Sequence, residues 1–439
     1  MKSLTFLEAS ESAMLSVEER RAKGKALRTQ APRSSHADWS PDPARPDPIG
    51  LLEESNKTRF ARLVPIRYGR MSLSPFAFLR GSAAIMACDL AKTPVSGITA
   101  QICGDAHLLN FGTYATPERR QIFDVNDFDE TLAGPWEWDI KRLAASVVVA
   151  GRQNGFSAQA NKQGAVQCVQ AYRTHMNELG NMGYTKVWYS TIKAEETLQF
   201  VQKRSGQYLN KALEKAHQQT NVHIFPKLVR CVEGDYEIKE HPPLITHLGE
   251  DKLIAQLQAL LKGYYASLQE DRRVLLSRYR IVDIANKVVG VGSVGTRCYV
   301  ALLLGSNQDD PLFLQIKEAQ ASVLEPYLAP SPYEDHAQRI VCGQHLMQAA
   351  SDLFLGWART DRTQFYLRQL HDRKYSPSVE KMNVDGFTSY GRLCGFTLAR
   401  AHARSGDPAQ ISGYLGQSNV FDQAIASFAV HYAGQVERD

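Results

Sequence analysis

Residues 104–112 read GDAHLLNFG, and residues 120–129 read RQIFDVNDFD. The first stretch sets an acid, a histidine and an amide in one loop: Asp105, His107 and Asn110. It follows ITAQIC (98–103), which reads as a short strand, and RQIFDVNDFD is a second strand candidate ending in acids. Polar residues in such a loop can satisfy turn backbone and nothing more. The second stretch argues otherwise. Asp124, Asp127, Asp129 and Glu130 crowd together between Phe123, Val125, Phe128 and Leu132, in a partly buried setting. Close carboxylates repel unless a cation or protons sit among them.

An Asp, an amide five residues on, and an Asp after the next strand together suit phosphoryl transfer. The first Asp takes or orients the proton of an attacking hydroxyl, and the amide and the later Asp hold Mg²⁺ against nucleotide phosphates. One or two carboxylates are enough for Mg²⁺, which keeps other positions for water and phosphate.

Residues 290–295, GVGSVG, fit G-x-G-x-x-G. A dinucleotide fingerprint needs a helix directly after the glycines. Here TRCYVALLLG (296–305) follows, a β-branched and aromatic run. With YRIVDIANKVVG (279–290) and LFLQIKEA (312–319) it predicts a three-stranded antiparallel meander, and TQFYLRQL (363–370) is a further strand. A glycine turn between two strands suits backbone that covers ATP phosphates, here Gly290, Gly292, Ser293 and Gly295. Lys317, one strand later, then grips the α/β-phosphates. Its acidic partner belongs on the next helix, with Glu325 the first candidate and Glu318 the second. A tight hairpin with an outward lysine is the plain alternative.

These motifs resemble those of aminoglycoside and choline kinases. CGDAHLLN (103–110), NDFD (126–129) and GPWEWDIKRLA (134–144) carry the resemblance, and GFTLARAHARSGD (395–407) is similar to the helix that precedes the catalytic loop in that family. The resemblance implies Asp105 as base in a catalytic set with His107 and Asn110. It implies Asn110 and Asp127, with Asp129, as metal ligands, and Asp139 as a buried acid bracing the loop. The family's leading histidine is Cys103 here. In an ordinary kinase the glycine lobe comes first; here it comes about 180 residues after the loop. The expected fold is therefore α+β: a two-lobed, protein-kinase-like fold, circularly permuted, with a helix-rich large lobe and a small antiparallel β lobe. Permutation is tolerable where the joined ends lie close on the surface.

The segments are an N-terminal arm (1–60), a large lobe with a helical insertion (61–278), a small nucleotide-binding β lobe (279–376) and C-terminal helices completing the large lobe (377–439). Helices are expected from Pro75 to Leu90 after a Ser74 cap, over 136–153 and 160–180, and across 334–358. From LVPIRYGRMSLSPFAFLRGSAA (63–84) to LARAHARSGD (398–407), the chain is also similar to an uncharacterised bacterial family, domain of unknown function twenty-two fifty-two. The similarity covers roughly residues 20–439 and implies no activity. That family's usual Glu before GQ is Cys342 here.

Composition narrows the rest. The chain has 439 residues, 44% hydrophobic and 22% charged, with net charge +5. No Lys/Arg block is interleaved with aromatics, so no nucleic-acid partner is expected, and the mild excess suits an anionic substrate such as a nucleotide. Seven cysteines without a CxxC predict reduced thiols and no zinc site. The N-terminal stretch lacks a signal peptide's apolar core, and LAASVVVA (143–150) is too short to span a bilayer. The expectation is a cytoplasmic protein with no membrane contact.

Weaker candidates remain. His107 with Asp105 and Asp127 could make a metal-dependent hydrolase. A catalytically silent nucleotide-binding protein would keep Lys317, and nucleotidyl transfer would use the same scaffold. Arg80 reads as a structural ion pair or a phosphate contact, His402 as a surface or core residue, and Trp136 and Trp138 as packing anchors. Asp372 and Lys374 read as surface charges.

Overall fold

The computed structural model describes residues 15–200, 220–247, 251–370 and 374–439. The strands are β1 (Thr99–Ile102), β2 (Phe111–Ala115), β3 (Gln121–Val125), β4 (Leu132–Pro135), β5 (Val229–Val232), β6 (Asp235–Ile238), β7 (Ile245–His247), β8 (Arg280–Lys287), β9 (Cys298–Leu304), β10 (Pro311–Ala319), β11 (Gly356–Arg359) and β12 (Gln364–Gln369). The expected meander is β8–β9–β10, the middle of a six-stranded antiparallel sheet in the order β11-β12-β10-β9-β8-β7. Three two-stranded sheets join β1 to β4, β2 to β3 and β5 to β6. The architecture is mixed α+β with small antiparallel sheets.

Side-chain alternation sorts the sheet into two faces. Leu312, Leu314 and Ile316 pack with Leu260 and Tyr264 of the Asp251–Ser267 helix. Phe313, on the other face, packs with Val300 and Leu302, and with Val229 and Ile238 of the β5–β6 hairpin. Lys317 falls on the Phe313 face, opposite Cys298 of β9 and Tyr366 of β12.

The helices gather around a larger core. The Trp136–Gln153 helix is buried from Trp136 to Gly151, the outcome for a helix apolar on most sides. Trp136 stacks on Tyr172 at 5.5 Å, so the anchor reading holds for it. The Ala158–Leu179, Val384–Ala403 and Val420–Arg438 helices pack around it. Four charged groups of the central helix, Glu137, Asp139, Lys141 and Arg142, are buried with it, and each must find a partner inside.

Four expectations change. The helix from Pro75 breaks at Ser82 (φ −118°, ψ 38°) into Pro75–Gly81 and Ala83–Leu90; its start is as expected, with the Ser74 hydroxyl accepting from Ala77 N–H. The helix expected across 334–358 stops at Met347, because residues 356–359 pair with β12 as an edge strand. The segment 190–278 contributes β5, β6 and β7, and β7 extends the main sheet; residues 201–219 and 248–250 of that segment lie outside the described residues, as does Asp372. The N-terminal arm is more than a wrap. Its Val17–Ala26 helix packs on the Pro408–Leu415 helix, and His36 is fully buried against Tyr414. Among the described residues no helix is long and apolar enough to cross a membrane.

Candidate functional site

The loop after β1 turns at Gly104, whose φ of +78° favours glycine. A Cβ there would lie 2.6 Å from the Glu130 carbonyl oxygen. Asp139, in the first turn of the Trp136–Gln153 helix, accepts the Cys103 N–H at 2.8 Å and the Gly104 N–H at 2.9 Å. These are the bracing contacts expected of it. His402 Nε2 stands 3.2 Å from the same carboxylate, and its Nδ1 lies 2.9 Å from the Tyr172 hydroxyl. His402 is thus a fully buried core residue. At Cys103 and Gly104 the loop is held through its backbone N–H groups, and the imidazole on Asp139 comes from the Val384–Ala403 helix.

Asp105 meets a residue that the sequence did not single out. Arg142 Nε donates to its Oδ1 at 2.6 Å, and Arg142 Nη2 contacts the same oxygen. Oδ2 is left over, 3.8 Å from His107 Nε2. Burial pushes the Asp105 carboxyl up to about 7, against the pull of Arg142. His107 accepts the Leu109 N–H at Nδ1 (3.2 Å); burial, with Arg80 and Arg142 nearby, holds it well below its usual value and therefore neutral. The Asn110 amide donates to the Asp105 carbonyl at 2.6 Å, which fixes its orientation and leaves its oxygen as an acceptor.

The four acids of the second stretch do not form one cluster. Asp124 turns into the core, ion-paired with Arg400 and accepting the Ala349 N–H at 2.9 Å. Glu130 accepts the Val323 N–H at 2.8 Å. Among the described residues Asp127 has no ion-pair partner. Asp129 accepts from Lys317 Nζ, from the Tyr366 hydroxyl at 2.8 Å and from the Ser293 hydroxyl at 3.4 Å. Burial opposes both charges, but mutual attraction overrides it: Asp129 is held below the usual carboxylate range and Lys317 well above its own.

The acid beside Lys317 is therefore Asp129 and neither glutamate candidate. Glu318 follows Lys317 in the strand, so it points to the opposite face, where it pairs with Arg297 at 3.0 Å. Glu325 lies 3.8 Å from Arg339 and 3.7 Å from His336.

The glycine loop joins β8 to β9, with strand on both sides, so a dinucleotide fingerprint does not apply. Gly290 (φ +64°) and Gly295 (φ +93°) take left-handed backbone. The loop is clamped by the segment preceding β1: Phe60 N–H donates to the Gly295 carbonyl at 2.8 Å, Arg59 Nη1 to Val294 at 2.6 Å, and Arg70 to Gly290. A Cβ on Gly292 would lie 3.2 Å from the Arg80 carbonyl oxygen.

These pieces surround one cavity of ≈ 490 Å³. Asp105, His107, Asn110, Asp127 and Asp129 line it from one side, and Gly290, Gly292, Ser293 and Lys317 from the other. Gly295 and Glu325 do not line it, whereas Arg59, Arg67 and Arg80 do. Among the described residues, no group of three or more His, Cys, Asp or Glu side chains could hold a metal ion.

A family model described as "Uncharacterized protein conserved in bacteria (DUF2252)" matches residues 59–439. The chain belongs to this family. No curated protein and no solved structure matches the chain. Every residue just placed around the cavity falls within the span shared with DUF2252.

Proposed function

We propose that this DUF2252 protein is an ATP- and Mg²⁺-dependent phosphotransferase acting on a small-molecule acceptor, with a circularly permuted, protein-kinase-like arrangement of its two walls. One observation carries the reading. Lys317 and Asp129, 188 residues apart in the chain, touch across a single cavity that also holds Asp105, Asn110, Asp127 and the glycine loop. A cavity of ≈ 490 Å³ lies within the range of about 300–1,000 Å³ typical of small-molecule sites.

The donor set fits the implied ion. Asp127 is a carboxylate without an ion-pair partner among the described residues, and the Asn110 amide oxygen is an acceptor beside it in the cavity lining. Mg²⁺ needs no cage of three protein ligands, because phosphate and water fill its other positions. When bound there, the ion would neutralise phosphate charge. Lys317 would exchange Asp129 for the α/β-phosphates, and the glycine backbone would cover the triphosphate. Asp105 Oδ2, the oxygen not used by Arg142, would accept the proton of the attacking hydroxyl. The acceptor O–P bond forms as the terminal phosphorus parts from its bridging oxygen, and the nucleoside diphosphate leaves. Proton transfer of this kind contributes about 10²–10⁴-fold. The hydrolase alternative has less behind it, since Asp105, His107 and Asp127 do not form a three-ligand group and His107 spends Nδ1 on the Leu109 amide.

Thermal denaturation with ATP and Mg²⁺ tests the reading. A rise in melting temperature is expected that Lys317→Ala weakens and AMP does not reproduce. If the metal alone gives the whole rise, or the nucleotide adds nothing, the proposal fails.

A further inference from the structure

The cavity is lined by more cations than a triphosphate site of glycine backbone and one lysine requires. Lys317 is engaged by Asp129. Arg59 donates to the carbonyls of Ser55 (3.1 Å) and Val294 (2.6 Å). Arg67 donates to the Ser55 hydroxyl (3.0 Å), the Asn56 side chain and the Gly81 carbonyl (2.9 Å). Arg80 differs. Among the described residues its guanidinium has no hydrogen-bond acceptor and no carboxylate within 4.0 Å, and its buried Nε has no partner. Its recorded neighbour is the Phe76 ring, 6.0 Å from the guanidinium carbon. An arginine on a short apolar helix, buried at Nε and unpaired, is costly unless something else pairs with it.

The position of Arg80 says what that partner does. Its backbone carbonyl faces Gly292 of the glycine loop, and its side chain lines the same cavity as Asp105 and His107. Arg80 therefore shares one cavity with the glycine loop and with the side chain assigned as base, the space an acceptor would enter. Arginine's planar fork suits two-pronged binding of carboxylate or phosphate. We propose that Arg80 anchors an anionic group of the acceptor, a carboxylate, phosphate or sulfate ester, and so presents the acceptor hydroxyl to Asp105. This deepens the phosphotransferase reading by naming the substrate class as an anionic small molecule.

The probe is inorganic phosphate, with chloride at matched ionic strength as the reference, titrated against the full chain by thermal shift and calorimetry. In nucleotide-free protein, phosphate stabilisation should persist in Lys317→Ala, weaken about tenfold or more in Arg80→Gln, and return in part in Arg80→Lys. With the non-hydrolysable β,γ-imido analogue of ATP and Mg²⁺ present, wild type should still bind phosphate and Arg80→Gln should not. Phosphate binding that vanishes in Lys317→Ala but survives in Arg80→Gln would overturn the assignment, because the anion would then occupy only the triphosphate position. The nucleotide-free arm reads Arg80 even if nucleotide binding fails, so the two proposals fall separately. Circular dichroism on each variant establishes that it is folded, and Arg80→Lys keeps the test decisive if Arg80→Gln is not.

Discussion

Replacing Asp139 by Asn removes one charge and almost no volume, so it isolates the bracing of the loop that carries Asp105. In the wild type both carboxylate oxygens are used, Oδ2 by the Cys103 N–H at 2.8 Å and Oδ1 by the Gly104 N–H at 2.9 Å. An asparagine has one oxygen, so one of the two amides would face its NH₂ group, donor against donor. A hydrogen bond to a charged acceptor contributes about 1.5–3 kcal/mol, and a buried donor left unpaired costs about 1–3 kcal/mol more. The loop cannot relax freely, because Gly104 at φ +78° is packed against Glu130. The expected loss is about 3–5 kcal/mol, or roughly 3–5 °C in melting temperature for a chain of this size. A loop displaced by about 1 Å would also lower turnover by about 10²-fold. Nucleotide affinity should change little, because Lys317 and the glycine loop belong to the sheet. Scanning calorimetry measures the first quantity, and ATP turnover with nucleotide titration the others. His402→Gln leaves both loop amides on Asp139 and should lose clearly less. An Asp139→Asn protein that melts within about 1 °C of wild type and turns over ATP normally would refute the bracing argument.

Asp129→Asn should lower the stability of the nucleotide-free protein, since it leaves the buried Lys317 charge without its carboxylate, yet raise affinity for ATP several-fold by freeing that lysine. Calorimetric titration checks this, and a fall in affinity confined to the Mg²⁺ complex would return Asp129 to the metal ligands. Burial, helped by Lys141, lowers His36 from 6.5 to about 3. Its folded value lies below its unfolded one, so the stability that neutral His36 contributes is present above pH 6.5 and lost as pH falls toward 3, about 2 kcal/mol of it by pH 5. Melting temperatures across that window should fall less steeply in His36→Gln than in wild type, and parallel curves would remove His36 as the cause.

The legible parts of the sequence were those in which one pattern had one outcome. The runs of β8, β9 and β10 alternate around glycine or Asn-Asp turns, so strand assignment and Lys317 placement followed together. The Trp136–Gln153 helix was readable to its ends, because its apolar residues recur at helical spacing through a stretch free of proline. β5 to β7 were not, since their residues are charged or half exposed and show no alternation of two faces. Arg142 reads in sequence as the polar edge of an amphipathic helix, and only packing on all sides makes it a buried partner for Asp105. Arg59 lay outside every quoted motif, and nothing in the 63–84 stretch singled out Arg67 from its neighbours; the folded chain is what brings both to the cavity. The crowding of Asp124 with Asp127 was a property of the linear chain alone. Within the strand, Asp124 pairs in register with Gly112 and turns inward to Arg400.

Lys317 is paired with an aspartate of the facing wall and not with a glutamate of its own sheet layer. A partner on a helix of the sheet layer would hold Lys317 to its own wall. Asp129 belongs to the opposite wall, so the Lys317–Asp129 pair ties the two walls of the cavity together. Tyr366 and Ser293 converge on the same carboxylate, from β12 and the glycine loop. One acid thus collects donors from three sheet-layer segments, and a polyphosphate entering the cavity competes for the same donors with more charge and more acceptor oxygens. Among the described residues Asp127 accepts only the Asp129 N–H, at 3.4 Å, and has no ion-pair partner. Two aspartates two residues apart therefore differ in setting: Asp129 is ion-paired with Lys317, and Asp127 has no ion-pair partner among the described residues, the difference on which the proposed phosphotransferase reading rests.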